Sequence, residues 1–354
     1  MNLNELSILS LYSSMSVYAL AFIAFAIDLA RRSAAVDAAT AQSAVAHSPA
    51  VTSEEASVTS SFAGQTGEAG DSTLTLSRLS TRIDNDATTP YRTTASLRVG
   101  ISLTVLAWVL HVFATVTRGI VAGRVPWANM YEFALIGTVL IVTVYLIVLT
   151  RVDLRFLGTF VTGLVLVLLG GAALNYYVEV APLPPALQSV WLVIHVFVAS
   201  LATGLFALGF ALSTVQLLQF RRENSAHATA AAGPRGALAS ALRLRFLATL
   251  PSSATLENLA YRINIIGFIL WTFTLMAGSI WAEQAWGRYW GWDTKEVWTF
   301  IIWVIYAGYI HARATRGWRG SRSAWLAIIG FAAVMFNFGI VNVFFKGLHS
   351  YSGL

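Results

Sequence analysis

The chain has 354 residues, of which 23 are Lys or Arg and 17 Asp or Glu, so 11% are charged, against roughly 25% in an ordinary soluble domain. With 56% hydrophobic residues and a mean hydropathy of +0.66, this excludes a simple water-soluble protein and predicts an all-α polytopic membrane protein, each span taking about 20 residues. The absence of cysteine excludes disulfides, thiolate metal sites, a redox CxxC pair and a covalent CxxCH haem attachment, and the net charge of +6 does not indicate nucleic acid, because the basic residues sit between hydrophobic runs.

Eight apolar stretches can be read in chain order. The first runs from Leu6 to Ala30, with Glu5 before it and Arg31-Arg32 after it, the reverse of a cleavable signal peptide. Residues 1–32 therefore read as an uncleaved transmembrane anchor. Residues 33–98 are rich in Ala, Ser, Thr and Gly and offer too little apolar surface to offset ordering entropy, so a disordered cytoplasmic insert is expected there. The next spans run from Val99 to Thr117, Met130 to Thr150, Phe156 to Tyr177 and Val190 to Phe220. Between Ala237 and Leu250, Arg243 and Arg245 alternate with apolar residues, which suits either a basic amphipathic helix on the inner leaflet or a solvated linker. The sixth span runs from Ile263 to Trp281, and the eighth from Ala324 to Phe345. The seventh, from Val297 to Ile310, reaches spanning length if its helix starts near Asp293 and ends near Arg313.

Lys and Arg mark cytoplasmic loops. Summed over alternate connections they divide 18 to 5, which places both termini outside, N-out and C-out. On this assignment the Trp-rich segment 282–298 is external. Its density of aromatics supports two readings, an interfacial aromatic belt or walls for a large flat ligand. For the second, Gly287 and Gly291 would allow close backbone approach, and Arg288 and Lys295 would meet acidic substituents. Haem, planar and carrying two propionates, fits. Asp293 and Glu296 also form a capping-box pattern at the start of the seventh helix, and Asn129 with Glu132 repeats it at the third.

Six histidines are present. His47 and His227 fall in low-complexity cytoplasmic loops. His111 and His311 fall inside the second and seventh spans, where an ionisable side chain is a functional hypothesis by default. Counted inward from Arg124 and Glu296, both lie roughly 20 Å deep at 1.5 Å per residue, a depth that allows one iron to be ligated from two helices. The alternative for each is a buried ring bonded to a neighbouring carbonyl. His195 lies one turn inside the outer end of the fifth span, and His349 follows the eighth, so both flank the Trp-rich loop on its own side.

The string Trp286-Gly287-Arg288-Tyr289-Trp290-Gly291-Trp292-Asp293-Thr294-Lys295-Glu296-Val297-Trp298, followed by Trp303 and Tyr309-Ile310-His311-Ala312-Arg313, resembles the WWD signature of haem-handling proteins in cytochrome c maturation. It is most similar to the CcsA (ResC) family of System II, supported by the segment from Gly123 to Glu132, rather than to the CcmC and CcmF types of System I. The resemblance covers about residues 99 to 349, so residues 99–354 are expected to form the WWD membrane domain; the insert at Ser33 to Ser96 is a departure, and Thr294 stands where many relatives have Pro.

That resemblance implies a role in c-type cytochrome biogenesis, as the membrane subunit of a cytochrome c haem lyase or synthase. It implies non-covalent haem b as transported substrate, with His195 and His349 as external axial ligands and His111 and His311 as the transmembrane pair. The loop from Trp286 to Trp298 would bind haem. It further implies a CcsB/ResB-like membrane subunit, apocytochrome c with its CxxCH motif, a thioredoxin-like thiol reductant, and a bacterial plasma membrane location. A b-type cytochrome electron-transfer subunit and a haem exporter are the competing readings.

Overall fold

A computed structural model describes residues 2–46, 93–232, 245–345 and 347–349. Among these, eight long helices succeed one another: α1 (Leu3–Ala46), α2 (Ala95–Ala122), α3 (Met130–Leu149), α4 (Gly158–Asn175), α5 (Val190–Ala232), α6 (Ser253–Trp286), α7 (Thr294–Arg316) and α8 (Ser321–Phe336). The last continues as a π-helical turn, Asn337–Val341, and a final turn, Asn342–Phe344. Seven helical segments, all but α7, are long and apolar enough to cross a membrane. The protein is therefore a multi-pass, all-α membrane protein. Helix α7 has the length, 23 residues, but carries Lys295, Glu296, Arg313 and Arg316 at its ends.

Helix boundaries obey local signals. Asn129 caps α3, its side chain accepting from the Glu132 N–H at 2.9 Å. Asp293 and Glu296 form the reciprocal box at the start of α7, with the Glu296 carboxylate accepting from the Asp293 N–H at 3.0 Å and the Gly291 N–H at 2.8 Å. Helix α2 runs to Ala122 and ends on Gly123 in the left-handed conformation, φ 63°. One expected boundary moves: α1 does not stop at Arg32 but continues to Ala46. The continuation is alanine-rich, and alanine is the best intrinsic helix former. At the other edge of the insert, Thr94 caps α2 and, with Ser96, hydrogen-bonds Asp28 of α1, so residues 93–98 are ordered against the anchor. His47 and the intervening stretch lie outside the described residues, as do residues 233–244. Of the expected amphipathic segment, Arg245–Thr249 forms a short 3-10 turn packed on α1, with Leu247 and Leu250 buried.

Helix α1 packs on α2 and α4, while α5 pairs along its length with α6; α3 and α8 pack on α5, and α7 on α6 and α8. Small residues let these helices approach closely, as is usual where lipid supplies no hydrophobic drive for association. Phe25 of α1 lies over Gly100 of α2 and Gly158 of α4, where any Cβ would collide with its ring. Gly267 of α6 receives Phe206 of α5, and Gly204 of α5 meets the α3 backbone. Phe206 in turn stacks on Tyr306 of α7 at 3.7 Å and 8°. Large apolar side chains such as Leu20, Ile23, Val109, Phe113, Ile269 and Phe273 are exposed, as a bilayer-facing surface requires.

Candidate functional site

The helix ends that the Lys/Arg count assigns to one side gather around one cavity, which is lined from α3, α5, α6, α7, the π turn and residue 349. Its walls are aromatic: Trp127, Trp271, Trp281, Tyr289, Trp290 and Phe338 all contribute. His195, Lys295, Glu296 and His349, with the phenol of Tyr289, are the ionisable groups in its lining.

His195 projects from the second turn of α5 and rests on α6. Its ring lies against Gly278, where a Cβ would fall 2.7 Å from Cε1, and is stacked on Trp281 at 5.9 Å and 16°. Nδ1 is 2.9 Å from the Thr274 carbonyl. A carbonyl can only accept, so Nδ1 carries the proton and Nε2 keeps its lone pair.

His349 meets the same indole, edge-on at 5.5 Å, and also abuts Trp286 at 4.8 Å. Its Nδ1 is 2.7 Å from Asp293 Oδ2, and its backbone N–H donates to the same oxygen at 3.2 Å. Against an ionised carboxylate Nδ1 is again the donor. The His349 hydrogen bond holds the Asp293 carboxyl below its ordinary value, outweighing the opposite effect of partial burial. Gly347 makes room for the carboxylate, which a Cβ would strike.

Thus His195 and His349 share one indole and each commits Nδ1 to a protein acceptor. Among the described residues no group of three or more His, Asp or Glu is arranged around a bare metal ion. Two imidazoles between aromatic walls instead match an iron whose other four ligands come from a macrocycle. The donor set and the cavity lining therefore fit haem.

The remaining expected residues divide. Tyr289, Trp290, Lys295 and Glu296 line the cavity, and Trp286 contacts it through Trp281 and His349. Lys295 donates from Nζ to the Asn337 carbonyl at 3.3 Å and to Asn342 Oδ1. Three expectations are corrected. Gly287 and Gly291 do not open the backbone to a ligand: Gly287 is the left-handed cap of α6, φ 70°, and Gly291 accommodates the Arg288 guanidinium, which occupies the space of its missing Cβ. Trp292 is not in the cavity lining; it is 74% exposed and stands edge-on to Trp290 at 5.9 Å. It holds a left-handed φ of 57°, enforced by Glu296, which bonds the N–H groups on both sides of it. Trp298 packs on Phe336 between α7 and α8.

The inner pair is not brought together. His111 is wholly buried between α1 and α2, with the Tyr18 ring edge-on at 6.0 Å, and neither ring nitrogen has a partner. His311 projects outward near the far end of α7 and is exposed. Its helix packs on α6 and α8 rather than on α2.

Three features escaped sequence reasoning. Trp271 is a cavity wall on α6, ten residues before Trp281 at the end of the expected sixth span. Gly278 and the Thr274 carbonyl seat His195. At the cavity's rim Glu132, fully buried, pairs with Arg118 at 3.1 Å and Arg124 at 2.7 Å, and Arg118 donates to the Val178 carbonyl at 2.6 Å. This cluster ties α2, α3 and the loop after α4 together beside Trp127. Only the Asn-x-x-Glu spacing hinted at Glu132.

Comparison with known proteins places the chain in a family. The family described as "Cytochrome C assembly protein" matches residues 127–349. The "Cytochrome c biogenesis protein CcsA" of Trieres chinensis is 34% identical over 278 residues, covering 73% of this chain and 87% of that protein. The CcsA proteins of Guillardia theta (35% over 266 residues; 72% and 86%) and Prochlorococcus marinus (35% over 254; 69% and 80%) are similar to the same degree. Among solved structures, "Cytochrome c Heme Lyase CcmF" superposes with a TM-score of 0.57 at 14% identity. All of this chain is covered, but it spans half the length of that one, and the likeness is one of fold.

Proposed function

Because the chain belongs to the cytochrome c assembly protein family and acts in c-type cytochrome biogenesis, we propose that its external cavity holds haem b as substrate. In this reading His195 and His349 ligate the iron from opposite sides, and the protein presents the haem to apocytochrome c. The observation that carries this is the pair of imidazoles on Trp281, each with Nδ1 tied to a protein acceptor and Nε2 left free.

Two imidazoles saturate the axial positions and keep the iron from oxygen during delivery. Trp281, Trp271 and Trp290 exclude water from the macrocycle faces, and Lys295, the cation in the cavity lining, meets a propionate. The thiols belong to the apocytochrome CxxCH and add across the haem vinyl groups, so no side chain of this protein is needed as a nucleophile. Its contribution is orientation, holding reactive edge and thiols in register. His111, buried and unpartnered, is the better-placed member of an inner station; His311 joins it only if α7 turns. Residues 99–349 act as the haem-handling domain, with the loop 282–298 outside a bacterial plasma membrane and both termini on the same side. A CcsB/ResB-like membrane subunit and a thioredoxin-like reductant complete the system.

Absorption spectra of detergent-purified protein test the reading. With His195→Gly or His349→Gly, bound haem falls sharply and added imidazole restores a six-coordinate spectrum; His111→Gly lowers the inner pool alone. Unchanged haem content and spectra in the glycine variants of His195, His349, His111 and His311 would overturn it.

A further inference from the structure

Resting on that haem site, we infer that His349, not His195, is the axial ligand which the histidine of the incoming CxxCH motif replaces, with Asp293 the positioning residue that holds His349 until then.

The two imidazoles are alike in presenting Nε2 and unlike in everything that governs their release. His195 belongs to a long helix. Its Nδ1 is bonded to the backbone of α6, and its ring fills the gap left by Gly278. Its retreat breaks that bond and unpacks the ring from the interface of α5 with α6, the most extensive helix pair among the described residues. His349 sits in a short turn beyond the last helix. One carboxylate, that of Asp293, holds both its ring, through Nδ1 at 2.7 Å, and its backbone, through the N–H at 3.2 Å. Retreat there costs two hydrogen bonds and rotations within a turn.

Access points the same way. An apocytochrome arrives from the aqueous side, where Trp292 is 74% exposed immediately before Asp293 and Tyr289 is 63% exposed. The face of His195 is closed by α6 and by the stacked Trp281. In the exchange one Fe–N bond to His349 breaks and one to the substrate histidine forms. No electron or proton is transferred, and no co-reactant is required. A carboxylate behind a ligating imidazole strengthens its donor character and fixes its orientation, and losing such a partner costs about 10- to 100-fold in binding. Asp293 is then a brake on ligand exchange.

The test uses the haem-loaded full chain and a synthetic peptide with the CxxCH cysteines replaced by serine, so that ligation is read without thioether formation. Asp293→Asn keeps an N-cap side chain; it is expected to retain a bis-histidine spectrum while exchanging for the peptide about 10- to 100-fold faster than wild type in stopped-flow absorbance. After haem loading in imidazole and its removal, His349→Gly takes up the peptide histidine at concentrations that leave His195→Gly five-coordinate. Exchange at the wild-type rate in Asp293→Asn, or preferential peptide rescue of His195→Gly, overturns the inference. A wild-type protein that binds no haem at all would instead sink the haem-site reading, so the two failures are distinguishable.

Discussion

Gly278 decides whether His195 can lie flat on α6. A methyl group there falls 2.7 Å from Cε1 and 2.8 Å from Nδ1 of the His195 ring. In Gly278→Ala the imidazole must leave its position, at an overpacking cost of about 1–3 kcal/mol. The purified variant is expected to lose most of its haem, read as the haem-to-protein absorbance ratio. Asp293 makes a separate prediction. Its carboxyl titrates below the ordinary value because His349 donates to it. The resulting stability is fully present above the unfolded-chain value of about pH 4 and is lost as pH falls through the depressed folded value. Thermal unfolding of the haem-free protein should therefore show the advantage of wild type over Asp293→Asn shrinking as pH drops below about 4. Asp293 was legible as a helix cap because capping depends on residues three positions apart. Its hold on His349, 56 residues away, is tertiary and leaves no trace in the spacing. The same reason hid Thr274 and Gly278, whose contributions are a backbone carbonyl and a missing side chain.

Among the elements, α1 is attached to the bundle by Phe25 inserted over Gly100 and Gly158, and by Asp28, which receives Thr94 and Ser96 while pairing with Arg32 at 2.7 Å. Gly158→Val would drive a branched side chain into the Phe25 ring, costing about 1–3 kcal/mol. Because the strain falls on one interface, α1 should become sensitive to limited proteolysis before the cavity loses haem. Parallel loss of both would mean that α1 and the cavity form one cooperative unit. The span positions were readable because hydropathy is local and lipid demands long apolar runs. The glycines that decide which span meets which were not, since a glycine inside an apolar run looks the same whether a ring or lipid faces it. The extension of α1 to Ala46 was hidden for another reason: low apolar content argued for disorder, while alanine's helix preference argued the other way.

At the scale of the whole molecule, the Lys/Arg asymmetry predicts one polarity for the cavity. Every helix end that meets the cavity is one the count assigns outside. Reporter fusions should therefore give an active extracytoplasmic phosphatase after Tyr289 and an active cytoplasmic fluorophore within residues 47–92. The opposite pattern would reverse the proposed sidedness. The inner histidine pair shows the limit of depth counting. Helix α2 does continue to Gly123, so His111 stands at its expected depth. Depth along a helix says nothing about which way a side chain turns, however, and His311 turns out of the bundle.

The π turn at Asn337–Val341 has a geometric consequence for the rest of the chain beyond it. Such a turn carries one residue more than the α-helical screw, so the succeeding residues are rotated by about 100° relative to an uninterrupted helix. That offset brings Asn342 round to Lys295, and both Asn342 and His349 line the cavity. Deleting a single residue within the turn would restore regular winding and swing His349 to the wrong azimuth, with every side chain named in the haem site still present in the protein.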